Sequence, residues 1–328
     1  MKYLYIFLSL IAAVLIYGAV QVQFLPFTKE SQWVVAFAPR QAEYLGLDAK
    51  IVWQGILSDL KPQQVRLQAN WNDIEQQSGE FNFSELDWYI NSVAEKNIKV
   101  TLAVGRKLPR WPECHDPIWL SDLKPWEVRA RHLTMLKKVV EHYQSNPIII
   151  RWQLENEPLF AFGKCGTPNF HLLREERDLI KSLDSSRPIL MTDSGEISPW
   201  LETSILADEQ GVTMYRVTWD KTLGYFRYFW SPFFYRFKAA LVLPFVNKTV
   251  ISELQMEPWA PSGLNNLSYQ EAQKSFSLAQ FEEHTNFART TGLSEAFVWG
   301  VEWWYGQKLN GRAEYWEEGK KLFRIINN

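Results

Sequence analysis

Cysteine is nearly missing from this chain of 328 residues, which carries two, and histidine is scarce, with five. Neither offers a metal spacing: His115, His132, His142, His171 and His284 form no His-Glu-x-x-His or similar motif, and lone histidines are more often surface or core residues than ligands. No Gly-x-Ser-x-Gly elbow, phosphate-cradling glycine loop or dinucleotide fingerprint occurs, so those chemistries fit poorly. Charge of either sign is not in excess, the net charge being -2. Without a basic field or an acidic tail, nucleic acid and other partners held by bulk electrostatics are not expected, and the substrate should be neutral. No internal repeat, low-complexity tract or Gly/Ser-rich linker divides the chain after residue 30, so one domain is expected over residues 22–328.

Apolar and aromatic residues are plentiful, at 46% and 15%, with sixteen tryptophans. Most of these indoles belong to a core, but a flat apolar face with one N–H donor also suits stacking on sugar rings. Residues 3–20 form an apolar stretch of about the minimum length for a bilayer-crossing helix. Lys2 is the only early positive charge, which keeps the short N-terminus cytoplasmic and exports the chain beyond Gln21. Tyr17-Gly18-Ala19 is a poor cleavage site, so residues 1–21 are expected to act as a signal anchor in preference to a removed signal peptide. The rest is then extracytoplasmic, membrane-anchored or secreted, and a monomer is expected. Cys114 and Cys165 each lie a short way past a predicted strand, and in an oxidising compartment a disulfide joining these two loops is expected, with two free thiols as the alternative. The sequons at Asn82, Asn247 and Asn266 matter only where glycosylation occurs.

Eight apolar runs of strand length fall at 33–38, 64–69, 99–104, 147–152, 188–192, 212–217, 249–253 and 296–301. Helical periodicity separates most of them, as in Leu86, Trp88, Tyr89 and Val93 behind a capping box at Ser84 to Asp87. Strand and helix alternate, and strands apolar along their whole length suit a parallel sheet buried on both faces. A (β/α)8 barrel, the TIM barrel, is the expected fold. Residues 225–246 depart from the pattern through eight aromatics; one amphipathic barrel helix with an aromatic lead-in is the simpler reading, a cover over the site or a membrane contact the other.

In such barrels chemistry sits at the C-terminal ends of strands. The polar or aromatic residues closing these runs are Arg66, Asn156 and Glu157, Asp193 and Glu196, Tyr215, Glu253, then Trp299 and Glu302. The fourth run ends in the Asn156-Glu157-Pro158 corner and the seventh in Glu253. Two carboxyls facing one cleft are what glycosidic bond cleavage requires.

At these residues the chain resembles glycoside hydrolase clan A, over residues 31–325. The likeness rests on Trp71-Asn72-Asp73-Ile74-Glu75 with Gly79-Glu80-Phe81-Asn82-Phe83, on Asn156-Glu157-Pro158, on Glu253 with Glu257-Pro258-Trp259, and on Trp299; overall it is nearest to bacterial cellulase-family glycosylhydrolases. The resemblance implies a retaining β-glycosidase acting by double displacement on an oligo- or polysaccharide, without metal or organic cofactor. Glu157 matches the acid/base, Asn156 the amide that holds the sugar 2-hydroxyl, and Glu253 the nucleophile. Arg66 and a hydrogen bond from Tyr215 are expected to lower the Glu253 pKa, and a partly desolvated pocket to raise that of Glu157. Substrate contacts are expected from Arg66, Trp71, Asn156, Tyr215, Trp299, Glu302 and Trp303, with Trp111 and Trp119 as stacking candidates or loop core. By strand parity Glu155 should point into the barrel as a buried, paired residue. Glu257 is either a substrate ligand or a loop brace; Asp193 and Glu196 are either binding residues or solvated charges. A transglycosylase using the same residues, and a non-catalytic carbohydrate-binding barrel, are the alternatives. The sequence leaves the sugar unnamed.

Overall fold

The structure is a computed structural model that describes residues 2–324; Met1 and residues 325–328, part of the expected segments 1–21 and 22–328, lie outside the described residues. In chain order the strands are β1 (Gln32–Ala36), β2 (Gln64–Gln68), β3 (Lys99–Val104), β4 (Ile149–Leu154), β5 (Ile189–Asp193) and β6 (Glu209–Met214), then β7 (Val217–Asp220) and β8 (Gly224–Arg227), and finally β9 (Lys248–Gln255) and β10 (Glu295–Trp299). All but β7 and β8 are parallel and close into an eight-stranded barrel in the order β1-β10-β9-β6-β5-β4-β3-β2. Helices fill each crossover, among them Ser84–Ala94, Pro125–Tyr143, Phe170–Leu183, Pro232–Val242 and Leu278–Thr291. The fold is the expected TIM barrel.

Three boundaries differ from the sequence reading. The sixth strand begins at Glu209 rather than Val212, because Glu209 is buried against Arg151. Tyr215 therefore follows β6 instead of lying on it. Residues 225–246 are not one helix with a lead-in: their start belongs to an antiparallel hairpin, β7 with β8, and the helix is Pro232–Val242. Ser84 opens the helix Ser84–Ala94 but does not cap it; Phe83 holds the cap position, and the Ser84 N–H donates to Asn82 Oδ1 at 3.0 Å.

The large core lies between barrel and helices, where outward strand residues such as Val65, Val100, Trp152, Met191 and Ile251 meet the helical layer. Each large aliphatic side chain buried there contributes roughly 1.5–3 kcal/mol. Inside the barrel a small apolar layer of Val34, Leu190, Val250 and Phe297 separates two polar ends. At the N-terminal end Arg151 pairs with Glu209 at 2.9 Å and Glu295 at 2.7 Å, and Lys248 pairs with Glu295 at 2.6 Å. The C-terminal end holds the residues of the site. With the outer annulus supplying stability, the barrel interior can hold ionisable groups that cost free energy to bury.

The helix Lys2–Gln21 is long and apolar enough to cross a membrane. It meets the helix Pro232–Val242 at Gly18, where a Cβ would lie 2.3 Å from the Phe237 ring. Arg236 holds the chain just beyond it, donating to Leu25 O at 3.2 Å and Thr291 O at 3.1 Å.

Candidate active site

β4 carries the first carboxyl by breaking its own alternation. Arg151 and Gln153 point into the barrel and Trp152 and Leu154 out of it, but Glu155 has φ +58° and Glu157 φ +42°. A left-handed turn at Glu155 sends its side chain outward: its two oxygens accept from Arg106 N at 2.8 Å and Lys107 N at 2.5 Å, and His132 Nε2 lies 3.4 Å away. The expectation that Glu155 points into the barrel is thereby corrected; it is buried and paired, but on the helical side. Gly105 makes this approach possible, since at φ +126° a Cβ there would sit 2.3 Å from Glu155 Oε1. Two residues on, the Glu157 N–H donates to Thr192 Oγ1 at 2.8 Å and its carbonyl accepts from Lys107 Nζ at 2.9 Å. Its backbone is thus fixed, and among the described residues its carboxyl forms no ion pair. Burial pushes that carboxyl well above the usual carboxylate range, with Glu253 and then Glu113 adding repulsion.

The second carboxyl depends on a β-bulge. Val212 pairs with Ile251 but Thr213 with Glu253, and Ala296 pairs with Ile251 but Val298 with Leu254, so the ladder skips a residue on both sides of β9. Strict alternation from the inward Val250 and outward Ile251 would turn Glu253 into the helical layer. The bulge reverses that parity. Tyr215 donates to Glu253 Oε2 at 2.7 Å. Arg66, 1% exposed, is held by Ser252 O at 2.9 Å and Gln153 Oε1 at 3.2 Å. Its Nη2 faces Glu253 Oε1 across 3.9 Å, and both atoms are buried without a hydrogen bond. At that separation the attraction is about 4 kcal/mol with an effective dielectric constant near 20, against a desolvation cost of several kcal/mol per ion. Burial accordingly prevails, and the Glu253 carboxyl lies above its ordinary value even though Arg66 and the Tyr215 hydroxyl pull it down. The net lowering expected from the sequence is not found, although its two agents are in place.

Around this pair lie further polar groups, Arg110, Glu113 and Lys107 among them. Asn156 Nδ2 donates to Glu113 Oε1 at 3.3 Å, while its Oδ1 accepts from Thr192 at 3.3 Å. Glu113, pushed up to about 7 mainly by burial, also faces Lys107 Nζ at 3.2 Å. Its neighbour Cys114 forms a disulfide with Cys165, tying the loop after β3 to the one after β4. Arg110 pairs with Glu257, reaches Glu302 at 3.2 Å and lies 3.7 Å over the Trp299 ring. Glu302 also accepts from Ala38 N at 2.7 Å. Glu257 is thus buried and held by Arg110 through one oxygen. Arg110 and Glu113 are two groups the sequence reading does not single out, and their position just past β3 is the signal for them.

Several expected contacts lie elsewhere. Trp71 is 1% exposed, donates to Glu75 Oε2 at 2.7 Å and packs against Trp119 and the His132 ring, leaving no face for a sugar. Trp303 is wedged between Phe276 and Tyr315 in the helical layer. Asp193 and Glu196 are not solvated: Asp193 binds Ser194 N and Thr203 Oγ1, and Glu196 accepts from Tyr215 N at 2.7 Å, Thr213 Oγ1 at 2.9 Å and Tyr235 OH at 3.0 Å. Glu196 therefore places the Tyr215 backbone. The aromatic wall is instead Tyr215 against Trp259 at 5.1 Å, Trp259 near Phe162, and Phe162 near Trp111, which is 62% exposed.

No family model matches the chain. A curated β-galactosidase, BbgII of Bifidobacterium bifidum, is 26% identical over 127 residues, 32% of this chain; the chain spans only 18% of that relative. Among solved structures, xylanase 10B from Thermotoga petrophila RKU-1, in complex with xylobiose, is similar with a TM-score of 0.57 and 13% identity over 82% of each chain. A β-galactosidase from the psychrophilic Marinomonas ef1 has a TM-score of 0.53 at 12% identity, covering 89% of this chain and 61% of the other. At such identities the likeness is one of fold, the eight-stranded parallel barrel that these glycoside hydrolases share with this chain.

Proposed function

We propose that this chain is a retaining β-glycosidase, with Glu157 as acid/base and Glu253 as nucleophile. The observation that carries the reading is the convergence, at one barrel mouth, of two buried and mutually repelling carboxyls with unlike support. Glu253 has a cation and a hydroxyl donor that favour its anion. Among the described residues Glu157 forms no ion pair, and although the Lys107 ammonium weakly favours its anion, burial and the neighbouring carboxyls favour its protonated form more strongly. Environments that separate two carboxyls in this way assign acid and nucleophile.

In the first step Glu157 gives its proton to the leaving oxygen while a Glu253 oxygen attacks the anomeric carbon, the glycosidic bond breaking as the ester bond forms. In the second, Glu157, now the anion, takes a proton from water, which displaces Glu253 and restores both groups. In this reading Asn156 Nδ2, held by Glu113, binds the 2-hydroxyl, and Trp259 beside Tyr215 lends an apolar face to the sugar ring. The disulfide and the apolar helix Lys2–Gln21 together support action outside the cytoplasm, with the helix as anchor or signal.

The test is a panel of aryl β-glycosides and β-glucans assayed with the wild-type chain, Glu157→Gln and Glu253→Gln. Turnover by the wild type that drops at least about a hundredfold in each variant is expected. Equal turnover in all three would overturn the proposal.

A further inference from the structure

The helix Lys2–Gln21 meets the barrel with its last turn. Its Gly18 lies against Phe237 and Leu241 of the helix Pro232–Val242, and on either side of that contact the same segment leaves large apolar side chains bare. Phe229 is 75% exposed, Phe233 58% and Phe245 48%. We propose that this face of the barrel is a second membrane contact, with Phe229, Phe233 and Phe245 set into the interfacial layer of the phospholipid bilayer that the helix Lys2–Gln21 crosses.

Phe229, Phe233, Phe237, Leu241 and Phe245 recur every fourth residue, so the three within the helix share one side of it and the other two lie just beyond its ends. The rings of Phe233 and Phe237 are 6.2 Å apart. The opposite side is already filled, because Tyr235, Ala239 and Val242 are buried in the core. A helix apolar on both sides needs a second apolar neighbour.

The end of the span says what that neighbour is. Just past Gln21 the chain is held by Arg236, which donates to Leu25 O at 3.2 Å and lies 5.1 Å from the Phe27 ring. The helix Pro232–Val242 therefore sits where the span leaves the hydrocarbon, the depth at which helices with Phe and Leu on one side lie in the plane of the interface. Charge permits it. From Lys221 to Lys248 the chain has five basic residues and no Asp or Glu, so this segment brings no carboxylate towards the lipid, where burial would penalise it. Lys238 turns inward, donating to Gly195 O at 2.9 Å and Ser198 O at 2.7 Å.

The helix runs from the hairpin of β7 and β8, at the barrel mouth, to the floor where β9 begins. Laid in the interface, it turns the mouth along the membrane surface, towards saccharide lying beside the bilayer. The inference rests on the helix Lys2–Gln21 being retained as an anchor and is independent of the glycosidase reading.

The experiment uses the full chain in vesicles of phosphatidylcholine and phosphatidylglycerol. Cys114 and Cys165 are joined, so a cysteine introduced by Phe233→Cys, Phe245→Cys or Asn91→Cys can be labelled alone with an environment-sensitive fluorophore, each variant being checked for folding by circular dichroism. Asn91 is the control, on the helix Ser84–Ala94 between β2 and β3, across the barrel from Pro232–Val242. Emission at positions 233 and 245 should shift to the blue and lose intensity to lipids carrying an acyl-chain nitroxide, while emission at position 91 does neither. Labels at positions 233 or 245 as exposed to water as the control, in chains still bound to the vesicles, would overturn this inference alone. So would shielding that the nitroxide lipids do not reach and that fades when fewer chains share a vesicle, since a second copy would then cover the face. Loss of residues 1–21 from the chain recovered from membranes of the producing cell, read by intact mass, would overturn the anchor and this inference together.

Discussion

Replacing Tyr215 by Phe removes one oxygen from the site and little else. The ring that meets Trp259 edge-on at 5.1 Å remains, as does the backbone N–H held by Glu196. What disappears is the 2.7 Å hydrogen bond to Glu253 Oε2. A hydrogen bond to a charged group contributes about 1.5–3 kcal/mol, and one pKa unit corresponds to about 1.4 kcal/mol. Because this bond favours the carboxylate, its loss should raise the Glu253 pKa by about 1–2 units. A nucleophile must be ionised, so the acid limb of kcat/KM against pH moves to higher pH by that amount. Activity on the acid side drops about 10–100-fold, while the alkaline limb, set by the Glu157 proton, stays in place. The assay is a pH profile of kcat/KM on an aryl β-glycoside. A uniform loss at every pH with the acid limb unmoved would mean that Tyr215 only fills space, and would refute the reasoning.

Two further outcomes are expected of the scaffold. Gly105→Ala meets both a φ of +126° and the Glu155 oxygen 2.3 Å from its Cβ, and should cost about 2–5 kcal/mol from strain and overpacking together, read as a lower urea midpoint. Reducing Cys114–Cys165, which spans 51 residues, should lower unfolding free energy by about 4 kcal/mol on the chain-entropy account; an unchanged midpoint in the presence of reductant would contradict it.

The barrel was legible because its strands are buried on both faces, so that runs such as Lys99–Val104 announce themselves without alternation. The sixth strand was misplaced for the opposite reason: Glu209 and Gln210 look like loop residues until Arg151 is seen to face Glu209 from across the barrel floor. The hairpin of β7 and β8 is half-exposed and aromatic, so its residues fit a helix lead-in equally well. In the site, periodicity served poorly. Glu253 stands out in the sequence because it closes the seventh run, yet counting along the strand points it outward, because a bulge is invisible to counting. The same parity argument fails for Glu155, whose positive φ just past the end of β4 turns its side chain out of the barrel. Trp71 and Trp303 show the limit of composition: an indole after a strand can line a cleft or fill a layer, and only packing decides.

The central claim is that Glu253 becomes covalently bonded to the sugar during turnover. It is tested most directly by inactivating the enzyme with a 2-deoxy-2-fluoro glycoside of a sugar it turns over, which slows the second step, and locating the adduct by peptide mass spectrometry. The account predicts one modification per chain, on the peptide containing Glu253, absent in Glu253→Gln. A stable adduct on any other residue, with Glu253 unmodified, would contradict it.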